Sequence, residues 1–155
     1  MHDHFMARAI ALSIENVRSG RGGPFAAVLV KDGKIIAEGV NCVTSANDPT
    51  AHAEITAIRA ACRAAGTFDL SGSVMYATCE PCPMCLGAIY WARIERVYFA
   101  NTAADASNAG FDDLFIYREI ARLPADRAIP MIPLMRGEAL EAFRVWEEQL
   151  DKTGY

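Results

Sequence analysis

Residues 73–92 read SVMYATCEPCPMCLGAIYWA, and that stretch decides the architecture. Ser73 to Thr78 has the short apolar profile of a buried strand. Glu80-Pro81-Cys82-Pro83 ends the strand and opens a helix expected over Met84 to Ala92. Arg96 to Ala100, with Val97, Tyr98 and Phe99, supplies a second strand. Strand, helix and strand in that order make a parallel crossover.

Upstream, the apolar runs Phe25 to Val30 and Ile35 to Val40 are separated by Lys31-Asp32-Gly33-Lys34. Asp-Gly between two such runs predicts a hairpin. Asp48-Pro49-Thr50 offers two capping residues and a proline for a first turn, so a helix is expected from there through Ile55, Ile58 and Cys62 to Gly66. Phe5 to Arg18 carries apolar residues at helical spacing, with Phe5, Ala9, Leu12 and Val17 near one face. Downstream, helices are expected over Asp112 to Ala121 and Gly137 to Lys152, the last with Leu140, Phe143, Trp146 and Leu150 inward. A weaker strand is expected near Ile129 to Met135, where Pro130 and Pro133 interfere. The sum is one α/β domain over 1–155: a mixed sheet opened by a hairpin and continued by crossovers.

The chain has 155 residues, 52% of them apolar and 22% charged, which suits a globular domain with a real core. No apolar run approaches the roughly 20 residues that span a bilayer, and Met1 to Phe5 lacks a secretory profile, so no membrane and a cytoplasmic setting are expected. A net charge of −4 and scattered arginines argue against nucleic acid as partner. Five cysteines, three of them crowded at Cys79, Cys82 and Cys85, suit a metal or catalytic site better than disulfides. Cys42 and Cys62 read as small buried side chains, and His2 and His4 as part of a frayed N-terminus.

The chemistry lies in His52-Ala53-Glu54 and Cys82-Pro83-Met84-Cys85. Two cysteines three apart at a helix start can aim both sulfurs at one point, where the helix dipole favours thiolates. His52, at the start of its own helix, adds an imidazole nitrogen. Three protein ligands with a fourth position left to water are the pattern of catalytic zinc, one Zn2+ per subunit, which brings the water pKa towards neutrality. Glu54 is placed to act as general base and then general acid. Residues two apart do not share a helix face, so the metal must lie off the helix end, with both helix N-termini aimed at it. A closed site of Cys79, Cys82, Cys85 and His52 is the structural alternative; it would leave Glu54 without a role.

H-x-E followed by P-C-x-x-C is the signature of the zinc deaminases. With Gly22-Gly23-Pro24-Phe25, Asn47 through Glu54, Cys79 through Arg93, Gly110-Phe111-Asp112-Asp113 and the terminal Tyr155, the chain resembles the cytidine deaminase superfamily and, within it, the bacterial guanine deaminases. The resemblance implies a three-layer α/β/α fold with a mixed five-stranded sheet, and hydrolysis of guanine to xanthine and ammonia. It implies that Asn41 and Asp113 hydrogen-bond the purine and that Phe25, Trp91 and Phe111 flank it. The N–H of Ala53 is implied at the substrate edge. It also implies a homodimer with exchanged C-terminal segments, Tyr155 closing the partner's site. Val40 and Cys42 flank Asn41 where a more polar stretch is expected, so preference among guanine-like rings is open. Isocytosine and ammeline share guanine's amino-amide edge and stand as alternative substrates. A tRNA adenosine deaminase is disfavoured by the acidic balance, and a zinc module without catalysis leaves Glu54 unexplained.

Overall fold

The computed structural model describes residues 2–155 and forms two compact units, one ending at Leu114 and the other running from Phe115 to Tyr155. The first unit holds a four-stranded mixed sheet in the order β2-β1-β3-β4. Strands β1 (Ala26–Lys31) and β2 (Lys34–Val40) are the expected hairpin, closed by Asp32 and Gly33 with φ of 51° and 71°. Both turn residues are thus left-handed, the condition of the tight turn whose twist matches the strands. Strand β3 (Ser73–Cys79) pairs antiparallel with β1 and parallel with β4 (Arg96–Asn101). The crossover between β3 and β4 is helix α4 (Pro83–Trp91), as residues 73–92 predict.

Helix α1 (His2–Arg18) lies on one sheet face, with Phe5 and Ala9 against Val28, Val30 and Tyr76. On the other face, α3 (Ala53–Ala65) sets Ala53, Ala57 and Ala61 against Ala27, Leu29, Met75 and Ala77. Alanines four apart form a narrow stripe, so α3 lies close to the strands. At Gly39 in β2 an added Cβ would sit 2.2 Å from the Ala53 carbonyl oxygen and 2.4 Å from the Ala57 nitrogen. Only glycine fits there, and the contact fixes the first turn of α3 against the sheet. Helix α2 (Val43–Ala46) is a single turn between β2 and α3.

Several expectations are corrected. The sheet has four strands, not five: residues 129–135 form no strand, since Pro130 and Pro133 lack the N–H groups a ladder needs. Helix α3 begins at Ala53 rather than near Thr50, because Asp48 accepts the Thr50 N–H and hydroxyl and makes a local turn instead of a helix cap. His2 is not frayed. Its Nδ1 lies 2.7 Å from the Tyr76 hydroxyl, and its ring lies 4.5 Å from that of Tyr98. Val17 faces outward, and Ser13 and Asn16 are the buried residues in that part of α1. The polar loop after β4 contains α5 (Ala103–Asn108), capped by a reciprocal Thr102–Asp105 pair and by Glu80 Oε2, which accepts the Ala103 N–H.

Helix α6 (Asp113–Ile120) starts at the end of the first unit. The second unit continues through a 3₁₀ turn (Pro124–Asp126) to α7 (Arg136–Glu148). Within it, Arg127 donates to the carbonyls of Glu119 and Ile120 at 3.2 and 3.3 Å. None of its residues is buried, and Phe143 and Leu150, expected inward, are 67% and 98% exposed. Among the described residues no helix is long and apolar enough to cross a membrane.

Candidate metal and catalytic site

Two helix N-termini meet at one point. His52 is the N-cap of α3 and Cys82 the N-cap of α4, and neither side chain caps its own helix. Each is instead turned toward the other: His52 Nδ1 lies 3.6 Å from Cys82 Sγ and 3.5 Å from Cys85 Sγ. Pro83 starts α4 without a wasted N–H, which puts Cys85 in the first turn beside Cys82. The ligand atoms of His52, Cys82 and Cys85 all lie within 4.8 Å of one another. A tetrahedral zinc with Zn–S of about 2.3 Å and Zn–N of about 2.0–2.1 Å requires N···S edges of about 3.6 Å. The residues present therefore fit zinc in donor chemistry and in spacing, with Nδ1 as the histidine ligand.

The electrostatics follow from this crowding. Cys82 is pulled down to about 4, first by hydrogen bonding from Cys85 and further by His52, so one sulfur is a thiolate at neutral pH. Cys85 is pushed up, because it shares its proton with that thiolate and is buried. His52 is raised, mainly by its hydrogen bond to Cys82. Glu54 is 8% exposed, and burial raises its carboxyl above the ordinary range, with the Cys82 charge adding to the effect. A buried carboxyl two residues from the histidine and beside the cysteines can exchange a proton with a molecule at the metal position.

Cys79 stands apart. Its thiol donates to the Thr102 carbonyl at 3.6 Å, and burial pushes its pKa up to about 11. It is outside the ligand cluster, so the closed four-ligand alternative has no geometric support.

Asn41 follows β2 and is buried. Its Oδ1 accepts the N–H groups of Gly23 and Val43, each at 3.3 Å, which leaves its amide N–H groups as the donors for a ligand. Asp113 starts α6, half-buried, its carboxyl raised by burial and then by the Cys82 charge. Ala53 is the first residue of α3, so its N–H has no carbonyl within the helix to pair with. Phe25 and Phe111 meet edge to face at 4.7 Å and line a pocket of about 190 Å³ with Pro24, Cys79 and Asn101. Trp91 lies at the opposite end of α4 from the two cysteines and is 66% exposed. Tyr155 ends the second unit and is exposed.

Two features of the surroundings are not apparent in the sequence. Arg59 Nη1 reaches Asp48 at 3.3 Å, adding to the Thr50 contacts and bracing the loop that delivers His52. The Asp-Pro-Thr string was the available signal for that turn. Asn16, buried on α1, donates to two loop carbonyls beside the site, and nothing in its sequence neighbourhood marks it.

Residues 1–101 match the family model of the cytidine and deoxycytidylate deaminase zinc-binding region. A guanine deaminase of Bacillus subtilis is 53% identical over 154 residues, 99% of both chains. The X-ray structure of a guanine deaminase from Bacillus subtilis superposes with a TM-score of 0.97 at 52% identity, covering 100% of this chain and 99% of that one. A guanine deaminase from Nitrosomonas europaea gives 0.67 at 30% identity, over 89% of this chain and 70% of its own. A tRNA-specific adenosine deaminase of Agrobacterium fabrum is 47% identical, but over 98 residues, 62% of each chain. A family match across residues 1–101, on a ligand set with tetrahedral spacing, places this chain in the cytidine and deoxycytidylate deaminase family of zinc-dependent hydrolases.

Proposed function

We propose that the chain hydrolyses guanine to xanthine and ammonia. The observation that carries this reading is similarity to a guanine deaminase over 99% of the chain; Asn41 presents amide donors and Asp113 a half-buried acceptor for the ring edge. Guanine's N1–H and amino group offer adjacent donors to a carboxylate, while its carbonyl and ring nitrogens accept from an amide. Adenine and cytosine lack that donor pair. End-to-end similarity to guanine deaminases supports the same substrate, whereas similarity to the tRNA-specific enzyme spans only part of the chain.

His52, Cys82 and Cys85 would hold a zinc ion, which when bound would make a water nucleophilic near neutral pH. Glu54 takes the proton of the attacking water on its carboxylate. It hands that proton to the ring nitrogen beside C2 as the C–O bond forms, then takes the second proton from the new C2 hydroxyl and delivers it to the amino group, so that the C–N bond breaks, the carbonyl forms and ammonia leaves. Asn41, Asp113 and the Ala53 N–H hold the ring edge. Phe25 and Phe111 bound the ring from the pocket side. The cytoplasm suits this chemistry: none of the five cysteines is in a disulfide.

Ammonia release from guanine, isocytosine, ammeline, cytosine and adenine tests the assignment. Guanine should be turned over far faster than cytosine or adenine, and Asp113→Asn should lower kcat/KM for guanine about 10- to 100-fold. Guanine left inert while isocytosine or ammeline reacts would overturn the substrate and leave the zinc chemistry standing.

We also infer a homodimer with exchanged C-terminal segments, the whole chain acting as one deaminase domain and Tyr155 closing the partner's site. In the second unit Leu123, Ile129, Ile132 and Leu134 are 72% to 85% exposed, apolar side chains that a partner chain would cover. A chain truncated before Tyr155 should be inactive, as should full-length Glu54→Gln. Mixed and reassembled, the two should recover activity, because the truncated subunit then receives an intact tail. No recovery would mean that the tail closes its own site or none.

A further inference from the structure

We propose that Asn16 is a positioning residue for the substrate. It never touches the ring, and it acts by locking together the two loop segments that carry Asn41 and Phe25. This inference rests on the ring-binding reading given above.

Asn16 has no exposed surface. Its Nδ2 donates to the Gly23 carbonyl and to the Asn41 carbonyl, both at 2.9 Å. Those carbonyls belong to segments seven and 25 residues away, neither of them within a helix or strand at that point. The two segments are otherwise laced by the Asn41 N–H on the Phe25 carbonyl at 3.0 Å and by the Gly23 N–H on Asn41 Oδ1. Phe25 N–H donates in turn to the Gly23 carbonyl at 2.9 Å. The Asn16 carboxamide therefore braces, together with these bonds, the segments on which the Asn41 amide and the Phe25 ring stand.

Two further observations separate this from ordinary packing. Asn16 Oδ1 is buried without a hydrogen bond, a cost that an apolar side chain of similar size would not incur. The carboxamide at this position is explained by its two donated bonds. The joint it makes is also tight: a Cβ at Gly22 would sit 2.0 Å from the Asn41 carbonyl oxygen. Gly22 thus lets the loop approach, and Asn16 holds it there. Loop segments without a ladder of their own need such a tie if a recognition group is to be pre-organised.

Steady-state kinetics on the zinc-loaded protein test this with Asn16→Ala, Asn41→Ala and the double variant. Asn16→Ala should raise KM for guanine about tenfold, the effect of one misplaced hydrogen bond, with kcat and zinc content little changed. Because Asn16 acts through Asn41, the double variant should bind no worse than Asn41→Ala alone. Gly22→Ala, which forces the same joint apart from the loop side, should give the same split between KM and kcat. It serves as the test if Asn16→Ala does not fold. An unchanged KM in Asn16→Ala, or an effect that adds in full to that of Asn41→Ala, would overturn the role of Asn16. An unchanged KM in Asn41→Ala would instead overturn the ring-binding reading, and this inference with it.

Discussion

Glu54→Gln lowers kcat by about 10²- to 10⁴-fold, the usual contribution of a positioned acid–base group, and leaves zinc content unchanged. Glutamine keeps the shape of the side chain but can neither take nor return a proton. The same substitution has a second, opposite effect. Burial raises the Glu54 pKa in the folded protein, so its protonated form is the one the fold prefers. A carboxyl with a raised folded pKa contributes stability below its unfolded pKa and loses it as pH rises through the folded value. The metal-free wild type therefore loses stability from this group as pH rises, and metal-free Glu54→Gln, which has no carboxyl to titrate, should melt higher at neutral pH. The catalytic base must also be ionised, so wild-type turnover should fall on the acid side as Glu54 takes up a proton. Full turnover by Glu54→Gln in ammonia-release assays would end the assignment. A lower melting temperature for the metal-free variant would show that Glu54 is held by something stronger than its burial.

Cys82→Ser should strip the protein of zinc and of activity together. Serine matches the size of cysteine, but its hydroxyl does not ionise near neutral pH. Cys82 is the sulfur already held as thiolate by Cys85 and His52. The loss of zinc affinity should exceed the roughly 10- to 100-fold that follows from removing a residue that merely orients a ligand. Chelation of the wild type should reproduce the inactive state and lower the melting temperature, and added zinc should restore both, because binding to the folded site alone stabilises it. Metal analysis by mass spectrometry alongside activity decides the matter: one zinc per chain in an active Cys82→Ser would remove Cys82 from the ligand set.

The sequence by itself determined the features whose physics is local. Asp32-Gly33 specifies a turn from two residues, and it closes the hairpin as expected. Cys82-Pro83-Met84-Cys85 specifies two sulfurs on the first turn of a helix, because a proline start and a spacing of three leave few other arrangements. His52 and Glu54, two apart and therefore on different helix faces, already required a metal beyond the helix end. Tertiary structure alone decided what depends on partners distant in the chain. That the two helix ends face each other at 3.5–3.6 Å follows from Gly39 and the alanine stripe of α3 packing on the sheet. His2 seemed free to fray because its partners, Tyr76 and Tyr98, lie on strands far along the chain. The fifth strand is the exception, since its failure has a local cause already visible in the sequence: Pro130 and Pro133 remove N–H groups that a ladder needs. Asn16 looks like any polar residue on a helix until the fold brings the Gly23 and Asn41 carbonyls to it. Periodicity marks an apolar face on α7, but a face is only half of a contact, and what covers it is set by packing and not by spacing.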